Sequence, residues 1–413
     1  MKASRFNLYI SENGQYCVTN TMTGATAILT EKEWDALQRN NTAFFTQEDR
    51  ELLNEQGFLV DDNIDEIKLL EKAYFTYKAN DETINLTICP TLDCNFDCPY
   101  CYEQRKPGRM DEDTQRHLIV FVEALLKSHT KKLCVTWYGG EPLLCMDVIE
   151  RVTLALKDLC ANYKVQLKLS MITNGFLLNV KNGEMLKKLG FSGFQITLDG
   201  LEKTHNARRY LKNGDGTFQK VYQGILEASK FATVAVRVNV DRVNVGEFER
   251  VMELFNNSPN VECYCAPVTV ENTQSDEVAR RCFGHHEYHK FYNKWFEKTD
   301  WPVVCGVSCC AAEKENTFVI DPDGNLYKCL NDLGNPKWKM GSVLGQNYGN
   351  AGVVKEKYLD RNPFCESECK DCLFLPQCYG GCVWEYMDKG SHGCRSVKYV
   401  LIERIKRKFL RKE

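Results

Sequence analysis

The 413-residue chain has no run long and apolar enough to cross a bilayer and none that reads as a secretory signal. The expectation is therefore a cytoplasmic protein without a membrane partner. It also lacks an excess of charge: 53 Lys and Arg stand against 56 Asp and Glu, a formal net charge of −3. Such a balance gives no electrostatic case for nucleic acid. The basic stretch from Arg404 to Lys412 reads as a solvated helix face. No internal repeat or low-complexity tract stands out, and the length suits two or three domains with ample core.

Cysteine, by contrast, is abundant. Twenty-one cysteines in a chain with no export signal argue for metal ligation, because a reducing compartment does not sustain a disulfide framework. Three of them stand in Cys94-Asn95-Phe96-Asp97-Cys98-Pro99-Tyr100-Cys101. A C-x3-C-x2-C spacing supplies three thiolates to a cluster of four irons and leaves one iron free for another ligand. A tetrahedral zinc site is the alternative, but zinc wants four ligands and commonly reads as paired C-x2-C units.

Between residues 84 and 268, apolar β-rich runs at 84–89, 133–138, 166–172, 193–198, 233–240 and 262–268 alternate with helical periodicity at 112–128, 147–161, 181–190, 217–231 and 246–256. Six β-α repeats predict an α/β fold with a parallel sheet. Right-handed crossovers place the loop after each strand at one rim. That rim collects Tyr138-Gly139-Gly140-Glu141-Pro142, Thr173-Asn174-Gly175, Thr197-Leu198-Asp199-Gly200 and His205-x-x-Arg208. Paired glycines let backbone approach a ligand closely, and a carboxylate beside them can accept from an ammonium.

The cysteine triplet and the motifs after it, in order and spacing, resemble the signature of radical S-adenosylmethionine (radical SAM) enzymes. The resemblance implies a partial (β/α)6 barrel and a 4Fe-4S cluster on Cys94, Cys98 and Cys101. In that family the open iron chelates S-adenosylmethionine, and an electron from the cluster cleaves it to a 5'-deoxyadenosyl radical. It further implies cosubstrate contacts from Tyr100, Gly139, Gly140, Glu141, Thr173, Asn174, Thr197, Asp199 and Arg208, and an external electron donor such as flavodoxin or ferredoxin.

About half of the cysteines come after residue 300. Cys310, Gly324 and Cys329, then Cys369-x2-Cys372-x5-Cys378-x3-Cys382, then Cys394, are similar to the SPASM extension of peptide-modifying radical SAM enzymes. Asp321-Pro322-Asp323-Gly324 reads as a hairpin turn between strands at 317–320 and 325–328. The likeness implies two auxiliary 4Fe-4S clusters, for three in all. One takes Cys310, Cys329, Cys382 and an upstream cysteine, with Cys305 preferred over Cys309; an open iron is the further alternative. The other takes Cys369, Cys372, Cys378 and Cys394. Tandem zinc ribbons are the competing reading. Cys134, Cys160, Cys263 and Cys265 read as small buried hydrophobes, and Cys365 is left out of the ligand sets. The pair His285 and His289 reads as surface helix rather than metal ligand.

In the first ~80 residues, alternating runs at 5–10, 15–20 and 25–29, helices at 31–38 and 47–54 and a final strand at 57–60 are expected. That order resembles a winged-helix module that recognises the leader of a precursor peptide by adding it as a strand. Glu31, Glu33, Asp35, Glu48, Asp49 and Glu51 on its helices disfavour DNA. The expected organisation is a recognition module at 1–80, a radical SAM barrel at 81–285 and a SPASM domain at 286–413. The function implied is a radical SAM/SPASM maturase of a ribosomally made peptide, of ranthipeptide or sactipeptide type, forming thioethers from cysteine sulfur to a neighbouring residue's carbon. Carbon–carbon or carbon–oxygen crosslinking and epimerisation rank behind it. An anaerobic sulfatase-maturing enzyme is the nearest enzyme alternative. In that group an aspartate directly follows the cysteine equivalent to Cys329, whereas this chain has Leu330 and its first acid is Asp332. A non-catalytic iron–sulfur electron carrier is the alternative from another class.

Overall fold

The computed structural model describes residues 1–269, 275–284, 287–288, 291, 306–345, 351–389, 394 and 397–411. Cys305, His285 and His289 lie outside the described residues. Compactness divides the chain into two units that are not contiguous in sequence. One comprises Met1–Asn80, Gly284–Lys314 and Asp360–Glu413, and the other Asp81–Phe283 and Glu315–Leu359. The sequence boundaries at 80/81 and 285/286 coincide with this division only in part, because a piece of the expected cysteine-rich domain belongs to each unit.

In the first unit, β1 (Lys2–Ala3) pairs with β5 (Leu59–Val60), and β2 (Asn7–Glu12), β3 (Gln15–Asn20) and β4 (Thr26–Leu29) form an antiparallel sheet in that order. Asn13 and Gly14 both take positive φ, 51° and 75°, which is the geometry a two-residue hairpin turn demands. Helices α1 (Glu31–Gln38) and α2 (Gln47–Glu55) each begin with a reciprocal cap, Thr30 with Glu33 and Thr46 with Asp49. Leu37, Leu53, Phe58 and Val18 close the core between them. The acidic segment after residue 60 is the helix α3 (Glu66–Ala79), capped by Asp65. Its Leu70 and Tyr74 pack with Phe6, Phe364, Leu375 and Tyr379, and a second cluster joins Leu8, Ile10 and Cys17 to Leu401, Ile405 and Leu410. The expected recognition module thus shares two apolar cores with the C-terminal cysteine-rich segment.

The second unit is built on six parallel strands in sequential order: β6 (Thr83–Ile88), β7 (Lys132–Trp137), β8 (Gln166–Thr173), β9 (Phe191–Thr197), β10 (Thr233–Val240) and β11 (Val261–Pro267). They alternate with α4 (Glu112–Leu125), α5 (Met146–Tyr163), α6 (Val180–Leu189), α7 (Glu202–Arg208), α8 (Phe218–Ser229) and α9 (Phe248–Glu253). Strict alternation of buried and half-buried positions along β6 and β7 puts one face against the helices and leaves the other for the barrel interior. Asp111 and Asn179 cap α4 and α6, and Gly190 ends α6 in the left-handed region.

The sheet does not stop at the barrel. β12 (Thr317–Ile320) pairs parallel with β6, and β13 (Asn325–Tyr327) and β14 (Gly341–Ser342) extend it to nine strands. Gly324 makes the β12–β13 turn at φ 80°. No helix among the described residues is long and apolar enough to cross a membrane.

Candidate active site

The loops after β6, β7, β8, β9, β10 and β11 meet at the carboxyl rim. With the ends of the strands themselves they border a cavity of about 280 Å³ lined by Cys94, Cys98 and Cys101 together with Tyr100, Gly139, Gly140, Thr173, Asn174 and Thr197. Nine of the expected site residues therefore share one space.

The cysteine loop is held down by backbone contact. Gly140 N donates to Thr91 O at 3.2 Å and Glu141 N to Asp93 O at 2.9 Å, which straps the Gly-Gly pair along the residues leading into Cys94. A Cβ on Gly139, at φ +121°, would lie 2.2 Å from Thr91 O, and one on Gly140 would lie 2.3 Å from Asp93 O. Only glycine permits that approach. Asn174 then reaches across, donating from Nδ2 to Asn95 Oδ1 at 2.8 Å, with Cys94 Sγ at 3.8 Å.

Glu141 stands behind this wall rather than on the cavity. It is fully buried, and its oxygens accept from Leu143 N (3.0 Å), Thr173 Oγ1 (2.7 Å) and Asn174 N (2.8 Å). These bonds fasten the loop after β7 to the loop after β8. Asp199 and Arg208 are likewise absent from the lining. Asp199 accepts from the Tyr100 hydroxyl and from Asn239 N, while Arg208 is paired with Asp241 and lies 3.6 Å from Asp199. Arg209, which the sequence motifs do not single out, does line the cavity; it donates to Tyr100 Oη at 2.7 Å and covers the Phe96 ring.

Several other lining residues were not expected from the motifs. Gln195 and Arg237 precede Thr197 and Asn239 by two positions on β9 and β10, so alternation along each strand could have found them. Tyr102 and Tyr138 share a hydroxyl contact of 2.7 Å. Burial pushes the neighbouring Glu103 carboxyl up to about 7, with the Tyr138 hydroxyl offsetting part of the rise. Leu330 lines the same cavity. Asp332, the first acid after Cys329, does not: it is fully buried and accepts from Cys329 N at 3.2 Å and Tyr358 Oη at 2.7 Å.

The donor set fits an iron–sulfur cluster. Cys94, Cys98 and Cys101 are free, half-buried thiols around a common space, and among the described residues no three His, Cys, Asp or Glu side chains converge on a single-ion site. Burial pushes the Cys94 thiol up to about 12 and the Cys98 thiol to about 11, so a bound cation is what would hold them as thiolates.

Of the expected auxiliary ligands, Cys310 and Cys329 each open a short 3-10 turn whose third residue, Glu313 or Asp332, caps the cysteine's N–H. Cys369 and Cys372 stand in successive turns, Cys372 N donating to Cys369 O at 2.9 Å, and Cys378 ends the short helix Leu375–Cys378. Cys382 comes directly after Gly380 and Gly381, both at positive φ, and Cys394 is half-buried. Cys160 and Cys265 are buried as expected of core residues, Cys134 and Cys263 are half-buried, and Cys365 is exposed.

The radical SAM superfamily pattern matches residues 88–255. The radical SAM cyclopropyl synthase TigE of Paramaledivibacter caminithermalis is 23% identical over 407 residues, covering 86% of this chain and 82% of its own. The serine-type anaerobic sulfatase-maturating enzyme of Bacteroides thetaiotaomicron is 23% identical over 363 residues, 74% of this chain and 84% of its own. Among solved structures, anSMEcpe with bound AdoMet superposes with a TM-score of 0.62 at 18% identity over 79% of this chain and 97% of its own. Streptococcus suis SuiB bound to precursor peptide SuiA gives 0.52 at 14% identity over 94% and 97%. Residues 88–255 thus carry a radical SAM domain, and the chain is similar over most of its length to peptide-modifying and sulfatase-maturing enzymes that share that domain.

Proposed function

We propose that the protein matures a ribosomally made precursor peptide by forming thioether crosslinks from cysteine sulfur to a neighbouring residue's carbon. The observation that carries the peptide reading is the edge of the N-terminal sheet. β4 pairs with β3 alone among the described strands, and its Ile28 is 58% exposed. An open edge of this kind accepts an extended leader through main-chain hydrogen bonds. The rim cavity supports the rest, with Cys94, Cys98 and Cys101 as cluster ligands and Gly139, Gly140, Thr173, Asn174, Thr197 and Arg209 as the surface for S-adenosylmethionine.

A loaded cluster supplies the electron that cleaves S-adenosylmethionine and so the radical that removes a substrate hydrogen. Around it, the Gly-Gly strap fixes the cysteine loop, and Arg209 and Asn239 hold the Tyr100 hydroxyl. Tyr102, Glu103, Tyr138 and Leu330 form the polar and apolar surface offered to the peptide. Leu330 on the cavity and Asp332 locked beneath Cys329 disfavour a sulfatase-maturing role. An electron donor such as flavodoxin or ferredoxin would reduce the cluster, and auxiliary clusters on the later cysteines would take up the electron released when the crosslink closes.

Co-expression with a cysteine-rich precursor peptide taken from a short reading frame neighbouring the gene, with mass spectrometry of the product, tests this. Each thioether removes one hydrogen from sulfur and one from carbon and blocks alkylation of that cysteine. A peptide of unchanged mass with every cysteine alkylated refutes the proposal; the same mass loss with free thiols points instead to carbon–carbon or carbon–oxygen closure.

A further inference from the structure

Arg361 occupies an unusual place in the cysteine-rich loop of the first unit. It is 6% exposed, and the loop wraps it from three sides. Its Nε lies 2.9 Å from Glu366 Oε1 and its Nη2 3.2 Å from Oε2, a forked pair three residues before Cys369. Nη2 also donates to Gly380 O, between Cys378 and Cys382. A Cβ on Gly380 would come within 2.7 Å of that nitrogen, so the close approach requires glycine. The guanidinium stands 4.7 Å from the centroid of the Tyr386 ring, four residues past Cys382.

One part of the fork is left over. Nη1 is buried and has no hydrogen-bond partner among the described residues. An unmet donor on a buried cation is costly, and the fold tolerates few of them. A cation with a spare N–H, wrapped by the segments that carry four cysteines, is what a sulfur-rich anionic centre would place in its outer sphere.

We propose that Arg361 is the positioning and tuning residue of an auxiliary iron–sulfur centre on the Cys369, Cys372 and Cys378 loop, its Nη1–H directed to sulfur and its charge set against that of Glu366. The inference rests on the reading of these cysteines as cluster ligands. A positive charge near the centre stabilises the reduced state, and a negative one destabilises it. Removing each charge should therefore move one reduction potential in opposite directions.

The test is a potentiometric titration, monitored by electron paramagnetic resonance, of the anaerobically reconstituted full-length enzyme and of Arg361→Gln, Arg361→Lys and Glu366→Gln. In Arg361→Gln one centre should become harder to reduce. Its ratio of reduced to oxidised forms should fall about tenfold at fixed poise, about 59 mV for one electron, with the remaining centres unmoved. Glu366→Gln should shift the same centre upward, and Arg361→Lys, which keeps the charge, should fall between wild type and Arg361→Gln. If Arg361→Gln fails to load iron, the directions in Arg361→Lys and Glu366→Gln decide. Full iron content with unmoved potentials overturns the inference alone. Wild-type enzyme that binds iron only at the Cys94, Cys98 and Cys101 cluster overturns the auxiliary-centre reading, and this inference with it.

Discussion

Replacing Gly139 with alanine should disconnect the cysteine loop from the sheet. At φ +121° an alanine carries backbone strain of about 1–3 kcal/mol. Its Cβ would also lie 2.2 Å from Thr91 O, a backbone atom that cannot swing aside as a side-chain tip would. Overpacking of that sort costs a further ~1–3 kcal/mol. The sum, about 2–6 kcal/mol, falls on the strap that leads into Cys94. Gly190→Ala is the control, because Gly190 has φ +89° and nothing within 4 Å of a Cβ, leaving strain alone. Urea unfolding should rank wild type, Gly190→Ala and Gly139→Ala in decreasing stability. Iron retention and 5'-deoxyadenosine release should fall in Gly139→Ala only. Equal stability of the two variants, with iron and cleavage intact in both, would refute the argument that glycine is required there for close approach.

The two adjacent arginines should separate: Arg208→Ala leaves Asp199 and Asp241 buried without their cation and should cost about 3–5 kcal/mol in urea unfolding. Arg209→Gln, by contrast, should weaken S-adenosylmethionine binding about tenfold or more by calorimetric titration, the scale of one lost charge-assisted bond. His205 is fully buried, and burial together with Arg209 and Arg208 holds its ring well below the usual imidazole range. The unfolded chain then binds the proton that the folded one refuses. Stability is complete above about pH 6.5 and should fall by up to about 1.4 kcal/mol per pH unit below it; His205→Gln should remove that slope from urea midpoints taken between pH 5 and 7. Proline at Ala27 or Ile28 separates the two in-plane directions of the β4 backbone. The variant losing its outward N–H should keep the sheet and bind leader peptide several-fold more weakly, by about 1 kcal/mol; unchanged titration by both variants would move leader binding elsewhere.

The barrel was legible because each strand alternates or runs apolar, each helix has its own amphipathic period, and the crossover rule leaves one rim for the motifs. Residues 31–38 are helical as read because Thr30 and Glu33 cap the first turn reciprocally. What stayed hidden depends on tertiary contact. Nothing local in Thr317–Ile320 announces that it pairs with Thr83–Ile88, far away in sequence. Likewise, no pattern distinguishes Arg208 from Arg209: both are adjacent and basic, and only the position of Asp241 decides which is consumed by an ion pair. Glu141 looked like a ligand contact because a carboxylate beside two glycines fits that use. That three donors, from Leu143, Thr173 and Asn174, also hold it was not legible locally. Residues 61–81, rich in Asp, Glu and Lys, read as a linker or a connecting helix; α3 is that helix, and the burial of its Leu70 and Tyr74 depends on partners distant in sequence.

The central claim is that the loop of Cys94, Cys98 and Cys101 generates the radical. It is tested most directly by comparing reconstituted wild type with the Cys94→Ala, Cys98→Ala, Cys101→Ala triple variant under strong reductant. The measured quantity is 5'-deoxyadenosine released from S-adenosylmethionine. Wild type should release it, and the triple variant should release none while still binding iron at its other cysteines. Release by the triple variant at the wild-type rate would contradict the account.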